Sequence, residues 1–200
     1  AREIELVAAN RPDVLILYNH GIIVTGKTVE QVRHRITRVT EALTMLERPV
    51  AEVDVAALIA LAAGSNFHAV EDRGSHKTAL DPASIKLATG GSLYPDHVIF
   101  LGTEIGVLAK GQTAKAYCEA RLAENLVVPK MLLAPDIGVL LANELTDGGR
   151  VMARCLAEVV ARIPENAPVV YLGPDQEYEL THWEAEQYRQ ALDRKASQRT

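Results

Sequence analysis

The chain has 200 residues, of which 48% are hydrophobic and 24% are charged, and these proportions are ordinary for a folded globular protein of one domain or two. A formal net charge of −5 leaves no basic surface to neutralise phosphates, so no nucleic-acid partner is expected. No apolar run approaches the roughly 18 residues of a membrane span, so no membrane partner is expected either. Cys118 and Cys155 lie in separate predicted helices without C-x-x-C spacing, which favours free thiols in a reducing compartment such as the cytoplasm.

The first third of the chain is predicted to alternate helices with short strands. Thr28 and Gln31 form a capping box before a run of apolar residues spaced three and four apart, which predicts an amphipathic helix that stops at Pro49. Asp54 is the expected N-cap of a shorter apolar helix that Gly64 ends. The predicted elements are helix 2–10, a buried strand 13–18, strand 22–25, helix 29–48 and helix 55–63.

Residues 64–80 are the most polar stretch of the chain. His68, Glu71, Asp72 and His76 carry side chains that bind metals, but two histidines eight residues apart match no standard ligand spacing. A loop of this length in a compact domain is usually functional or mobile, and we interpret it as a mobile connection between domains. The next short helix is predicted to begin at Asp81-Pro82.

The second half contains a faint internal repeat. Residues 99–108 align with residues 131–140, and both segments contain an acidic residue followed by Ile-Gly-Val-Leu. Each copy is predicted to be strand, acidic turn and strand, followed by a helix at about 113–126 or 145–163. The acidic turn is a structural hairpin or a substrate turn. No G-x-G-x-x-G opens either helix, so nucleotide binding has no direct support from a motif. A strand at 169–172 and a helix at about 179–196 complete the prediction.

The turn Tyr18-Asn19-His20-Gly21 presents one histidine at the end of a predicted strand. Taken alone, a histidine beside a strand is more often a turn or core residue than a ligand. With Gly26, however, this segment resembles the N-H-G…G segment of the class II, zinc-dependent sugar-phosphate aldolases and their relatives, the adducin heads. The resemblance implies that His20 is a metal ligand, and that Asn19 and Gly21 shape the turn and contact the substrate.

In the family that this segment resembles, two further metal-binding imidazoles come from an upstream H-x-H pair, and a catalytic glutamate also lies upstream. Here only 19 residues precede His20, and the sequence contains no H-x-H. The chain is therefore expected to be the C-terminal part of a longer aldolase-like protein. Zinc is expected in the complete protein but not in this chain alone.

A second resemblance covers the rest of the chain. Tyr94-Pro-Asp-His-Val-Ile99 is similar to the T-P-D-H-V-I segment that follows the aldolase domain in rhamnulose-phosphate aldolase/alcohol dehydrogenase fusion proteins. Residues 133–140 and 177–187 resemble later segments of the same proteins. Asp96 and His97 are candidates for a catalytic pair, because a carboxylate can orient an imidazole for proton transfer. Adjacent strand residues point to opposite sides, so the two side chains need not touch.

The resemblances imply an α/β fold: a truncated class II aldolase-like α/β/α domain, then a small α/β domain with repeated strand–turn–strand–helix units. The expected boundaries are 1–63, a linker with a short helix at 64–94, and 95–200. The leading functional hypothesis is part of a metal-dependent lyase that cleaves a sugar or sugar phosphate by a retro-aldol reaction, in a cytoplasmic homo-oligomer. A non-catalytic, adducin-like assembly or interaction domain is the alternative. A third hypothesis is a carbohydrate-binding partner of a dehydrogenase.

Overall fold

The computed structural model describes residues 5–7, 9–183, 188 and 192, and it shows a mixed α/β protein. The chain divides into two compact units, Ala1–Leu46 and Glu47–Thr200, which we call the N-terminal and C-terminal units. This division falls 17 residues before the boundary expected after residue 63. The expected linker 64–94 therefore lies inside the C-terminal unit.

The N-terminal unit contains a hairpin followed by one helix. Its strands pair antiparallel, with Val14 opposite Val24 and Leu17 opposite Gly21. The Thr28 hydroxyl caps the helix by accepting a hydrogen bond from the amide of Gln31 at 3.3 Å. The elements of this unit are β1 (Val14–Leu17), β2 (Gly21–Val24) and α1 (Val29–Leu43).

Two expectations for the N-terminal unit are corrected. Strand β1 is not buried, because the side chain of Ile16 is 74% exposed and its neighbours on the strand are only half-buried. Helix α1 ends at Leu43 instead of continuing to residue 48, and none of its residues is buried. Residues 5–7 are helical, whereas the rest of the predicted helix 2–10 lies partly outside the described residues.

The C-terminal unit is built around a four-stranded sheet. Its elements are α2 (Val55–Ala62), β3 (Phe67–Ala69), a 3₁₀-helix (Arg73–Thr78), α3 (Pro82–Thr89), a π-helical turn (His97–Leu101), β4 (Gly106–Val107), α4 (Ala114–Ala123), β5 (Met131–Ala134), β6 (Gly138–Ala142), α5 (Asp147–Val160) and α6 (Pro174–His182). The strand order is β3-β6-β5-β4. The first two pairs are antiparallel, and β4 runs parallel to β5.

Successive residues of the central strands pack into two different cores, as the two-residue period of a strand requires. On one face, Leu133 and Val139 pack with Leu156 of α5. On the other face, Leu132 and Leu140 pack with residues of α2 and α4. Since β5 and β6 are buried on both faces, their sequences are continuous apolar runs rather than alternating ones.

The segment at the start of the C-terminal unit is fixed by two charged side chains. Arg48 donates to the Asp81 carboxylate at 2.8 Å and to the Val160 carbonyl at 2.7 Å, so it joins the start of α3 to the end of α5. Glu47 forms ion pairs with Lys77 and Arg162. These contacts explain why the division of the chain precedes Glu47 and does not follow residue 63.

The interpretation of residues 64–80 as a mobile connection is wrong for most of that segment. Phe67–Ala69 forms β3, in which Phe67 pairs with Ala142 of β6. The following 3₁₀-helix buries Ser75, His76 and Thr78. A polar segment can be buried in this way when its polar groups find partners inside the protein.

Only one of the two copies of the internal repeat forms the predicted strand–turn–strand structure. Residues 131–142 form the predicted hairpin, with Leu132 opposite Leu140. In the other copy, residues 97–101 are a buried helical turn instead of a strand, and β4 is only two residues long. The predicted strand 169–172 is irregular, with the Leu172 amide donating to the Ser92 carbonyl at 2.9 Å. Helix α6 starts at Pro174, earlier than expected, and most of the predicted continuation to 196 lies outside the described residues.

Candidate functional site

The hairpin β1–β2 presents His20 at its tip. Residues Tyr18, Asn19 and His20 form the turn, and the His20 amide donates to the Leu17 carbonyl at 3.0 Å. Asn19 adopts a left-handed backbone conformation with φ 52°, and Gly21 has φ 139°, a value that side chains other than glycine rarely adopt. The prediction that His20 lies at a strand end and is at least partly exposed is confirmed. That its imidazole faces an open cleft or a subunit boundary stays a prediction.

The base of the same hairpin is held by an arginine of α1. The Arg35 guanidinium pairs with the Asp13 carboxylate at 2.7 Å and donates to the Thr25 carbonyl at 2.5 Å. The Thr25 amide in turn donates to the Asp13 carbonyl at 2.9 Å, which extends the pairing of the two strands beyond Val24. Polar contacts thus fix the end of the hairpin that is opposite His20.

His97 is buried instead of lining an open site. Only 1% of the residue is exposed, and its ring lies 5.9 Å from the Tyr94 ring, centroid to centroid. The Leu93 amide donates to its Nδ1 atom at 3.4 Å. Burial lowers the pKa of His97 to about 4, so the imidazole is neutral at physiological pH. The His97 imidazole is therefore shielded from solvent within the part of the chain that the structure describes.

The pairing of Asp96 with His97 stays a prediction, and the geometry of His97 weighs against it. The low pKa of His97 has burial as its cause, with no contribution from a neighbouring carboxylate. Asp96 instead raises the pKa of Tyr94, as does the Cys155 thiol, although burial of the Tyr94 ring is the largest cause. The Tyr94 hydroxyl is a buried polar atom without a hydrogen-bond partner among the described residues.

His76 is a structural residue with both ring nitrogens satisfied. The Val139 amide donates to Nδ1 at 3.0 Å, so Nε2 carries the proton and donates to the Val70 carbonyl at 3.0 Å. These bonds require the neutral imidazole, and burial lowers the pKa of His76 accordingly. The His76 ring thus links Val70, just after β3, to Val139 of β6, and both of its nitrogens are occupied.

His68 belongs to a separate polar cluster near the ends of β3 and β6. An Arg150 guanidinium nitrogen donates to Nε2 at 2.7 Å, so Nδ1 donates to the Asn143 side-chain oxygen at 2.9 Å. Asp72 caps the 3₁₀-helix through the Ser75 amide and pairs with Arg154. The four side chains considered above as metal ligands therefore do not converge on one point.

The residues that the structure describes do not by themselves fit a zinc site. They contain no group of three or more His, Cys, Asp and Glu side chains placed to hold a metal ion. His20 is exposed at the hairpin tip and offers a single imidazole, whereas a catalytic zinc takes three protein ligands. Any zinc bound at His20 would require ligands from outside the described residues.

A cavity of about 460 Å³, which no sequence pattern above predicts, lies beside the sheet of the C-terminal unit. It is lined by residues 108–111, which follow β4, by residues 134–137, which follow β5, and by Leu61 of α2. Asp136 lies in the acidic turn that the repeat had marked as a hairpin or a substrate turn. The signal that could have revealed the cavity is the strand–loop–helix–strand order of residues 106–134, which is typical of a βαβ unit.

Comparison of the chain with models of protein families, with curated proteins and with solved structures finds no match. In the part of the chain that the structure describes, no helix is both long enough and apolar enough to cross a membrane. Cys118 and Cys155 are both free and half-buried, as expected from their positions in helices.

Proposed function

We propose that this chain is part of a metal-dependent, class II aldolase-like lyase that cleaves a sugar or sugar phosphate by a retro-aldol reaction. The proposal rests on the resemblance of Tyr18-Asn19-His20-Gly21 to the metal-binding segment of that family. One structural observation supports it: the imidazole of His20 is exposed at the tip of a hairpin. A metal ligand that shares its ion with other segments must be accessible in this way.

Within this proposal each site residue has a separate task. His20 supplies one of the imidazoles that bind zinc, and the other ligands come from outside the described residues. Asn19 and Gly21 hold the turn in left-handed conformations and contact the substrate. For Asp96 and His97 a catalytic role is the weaker part of the proposal, because His97 is buried.

The finer architecture is likewise a proposal. The N-terminal unit would be the end of an aldolase-like α/β/α domain, and the C-terminal unit the small α/β domain that follows it. We place the protein in the cytoplasm because both of its cysteines are free, as expected in a reducing compartment.

A second candidate function is a non-catalytic, adducin-like assembly domain. The observation that favours it is the apolar surface of the N-terminal unit, where none of the described residues is buried. Tyr18 is 75% exposed and Leu46 is 92% exposed. We propose that these exposed apolar side chains belong to an interaction surface, since large apolar patches usually mark such surfaces. A homo-oligomer is compatible with both candidate functions.

Retro-aldol cleavage by the complete protein is the test of the lyase proposal. Ketose 1-phosphates and free ketoses are incubated with the zinc-loaded protein, and the aldehyde product is measured with a coupled reductase. We expect turnover that His20→Ala reduces at least about 100-fold, since the substitution removes a metal ligand. His34→Ala, which removes an exposed histidine of α1, is the matched control and leaves activity unchanged.

The same preparation separates the two candidate functions. Absence of turnover and of stoichiometric zinc, together with an intact oligomer by light scattering, would favour the assembly domain. For the present chain alone, we expect titration calorimetry to detect no stoichiometric zinc binding, because His20 offers only one ligand. Micromolar binding at one site would contradict this expectation.

A further inference from the structure

The C-terminal unit contains a βαβ unit in which each of the two parallel strands is followed by a loop. Strand β4 leads through residues 108–113 into α4, and the chain then returns through β5, parallel to β4. The pairing continues past β4, since the Leu108 amide donates to the Leu133 carbonyl at 2.8 Å. The carboxyl ends of both strands therefore lie at one edge of the sheet. In α/β proteins, this edge is where small molecules bind.

The 460 Å³ cavity lies at this edge, since the two loops that line it are those that follow β4 and β5. Its volume falls within the range of roughly 300–1,000 Å³ that is typical of small-molecule sites. Leu61, Leu108 and Ile137 give it apolar walls. The cavity therefore offers an apolar group a place to pack, and the charged residues of its lining are Lys110 and Asp136.

Two residues of opposite charge stand on the two loops. Lys110 follows β4 and Asp136 follows β5, and both line the cavity. Among the described residues neither side chain has a hydrogen bond or an ion pair. Both charges are therefore available to a ligand instead of neutralising each other.

The backbone fixes where these two charges lie. Asp136 adopts φ 62° in the turn between β5 and β6, and its amide donates to the Ala79 carbonyl at 3.0 Å. In the other loop the Gln112 amide donates to the Ala109 carbonyl at 2.9 Å, and the Gln112 side chain accepts from the Ala109 amide at 3.0 Å. Both loops are thus held by bonds that do not involve the charged side chains.

The loop that carries Lys110 leads into the N-terminus of a helix, although the residues of that helix do not line the cavity themselves. Helix α4 begins directly after this loop, with Thr113 as its N-cap. The free amides of a helix N-terminus favour an anion, and a nearby lysine adds a full charge. The aspartate side can accept hydrogen bonds from hydroxyl groups, as acidic residues after a strand do toward a ribose.

We infer that this cavity binds a nucleoside phosphate. The phosphate contacts Lys110 on the loop that leads into α4, the ribose hydroxyls donate to Asp136, and the base packs against the apolar wall that includes Leu61. A sugar phosphate without a base would leave that wall uncovered. The inference does not depend on the lyase proposal, since every residue involved lies in the C-terminal unit and none is a site residue of that proposal.

Titration calorimetry of the full chain with adenosine 5′-monophosphate tests the inference. We expect one site with a dissociation constant on the order of 10 µM, a value typical for a ligand of this size. Lys110→Ala and Asp136→Asn should each weaken binding about tenfold, because each removes a charged hydrogen-bonding group. Lys86→Ala removes an exposed lysine from α3 and is the matched control, which should bind as the unchanged chain does.

A steric variant and two partial ligands complete the design. Ala109→Phe places a ring at an exposed position of the cavity lining and should abolish binding, while the circular-dichroism spectrum stays unchanged. Adenosine and ribose 5-phosphate should each bind at least tenfold more weakly than the nucleotide. Ribose 5-phosphate binding as tightly as the nucleotide would overturn the role of the apolar wall. The inference would be overturned if the nucleotide did not bind below 1 mM. It would also be overturned if Lys110→Ala and the control Lys86→Ala changed the dissociation constant equally.

Discussion

The N-terminal and C-terminal units use the same kinds of elements but bury their apolar residues to very different degrees. In the N-terminal unit none of the described residues is buried, although the unit contains a regular hairpin and a capped helix. The C-terminal unit has two apolar cores on opposite faces of one sheet. The unit that contains the His20 motif is therefore not the unit whose apolar cores stabilise the fold.

The histidines of the two units differ in the same way. His20 is exposed at a hairpin tip, whereas His76 and His97 of the C-terminal unit are each only 1% exposed. The imidazoles of His76 and His97 are neutral and form hydrogen bonds inside the protein, so they stabilise the fold. An accessible imidazole with no structural task is the better candidate for a ligand.

Two glycines with similar backbone angles give the sharpest contrast between the units. Gly138 has φ 148°, and an added Cβ atom would lie 2.7 Å from both His76 Nδ1 and Leu58 Cδ1. Gly138→Ala should therefore lower the free energy of unfolding by about 4 kcal/mol, from backbone strain and overpacking together. Urea denaturation followed by circular dichroism measures this loss.

Gly21 is the matched control, since its φ is 139° and an added Cβ atom would meet nothing within 4 Å. Gly21→Ala should cost about 2 kcal/mol, from strain alone, and only within the N-terminal unit. The urea midpoint of the C-terminal unit should not change. Equal losses of unfolding free energy from Gly138→Ala and Gly21→Ala would contradict the difference in packing between the two units.

Truncation of one apolar side chain in each unit should have unequal effects. Leu156 is fully buried in the core on one face of the sheet, so Leu156→Ala should cost about 3.5 kcal/mol through lost burial and a cavity. Ile36 on α1 is exposed, and Ile36→Ala should cost about 0.5 kcal/mol or less. Calorimetric melting of both variants measures the difference, and a large loss from Ile36→Ala would show that α1 is covered in solution.

Acid should destabilise the C-terminal unit through its buried histidines. The pKa of His97 is about 4 in the folded protein and about 6.5 in the unfolded chain, so the unfolded state binds the proton first as the pH falls. Stability is fully present above about pH 6.5 and is lost toward pH 4, by about 3 kcal/mol for this residue. His76, whose pKa is also lowered, contributes in the same direction.

Below about pH 4.5 a carboxylate adds to the loss. Hydrogen bonds from Arg162 and Arg154 lower the pKa of Glu158 to about 2, so its contribution disappears only in that more acidic range. Urea denaturation at a series of pH values from 7 to 4 measures how steeply the free energy of unfolding falls with pH. His97→Gln should make the slope shallower between pH 6.5 and 4.5, whereas His20→Gln should leave the C-terminal unit's profile unchanged. A free energy of unfolding that does not change between pH 6.5 and 4.5 would contradict the proposed role of the buried histidines.

The ion pairs on the surface of the C-terminal unit should matter least. Arg154 pairs with Asp72 at 2.9 Å and with Glu158 at 2.5 Å, but 43% of its side chain is exposed to solvent. Arg154→Ala should cost less than about 1 kcal/mol, and 0.5 M salt should reduce that cost further. Arg73→Ala, at an exposed neighbouring position, is the control with no expected effect. A loss of several kcal/mol from Arg154→Ala would mean that the pairs are far less accessible to water.

Three helix starts could be predicted from the sequence because capping is local. Thr28, Asp54 and Asp81 each accept a hydrogen bond from an amide three residues later, as their positions before apolar runs indicated. The hairpin tip at His20 was predictable for the same reason, since Gly21 permits the turn. Whether His20 binds a metal ion stays a prediction.

The errors concern features that depend on distant partners. Phe67–Ala69 became a strand only because it pairs with β6, more than 70 residues away along the chain. The apolar run 97–101 has the composition of a strand, but it packs as a helical turn against α5 and α6. The burial of His97 follows from that packing, so the sequence alone could not reveal it. The cavity beside Asp136 likewise forms from loops that are separated along the chain.

The zinc content of the complete protein and of two histidine variants tests the central claim most directly. The claim is that the exposed histidine of the N-terminal unit, and not the buried histidines of the C-terminal unit, is a metal ligand. Atomic emission spectrometry after dialysis should find zinc bound to the unchanged protein and to His34→Ala. His20→Ala should lower the zinc affinity by about 100-fold or more and so lose the metal. Zinc retained equally by all three proteins would contradict the claim.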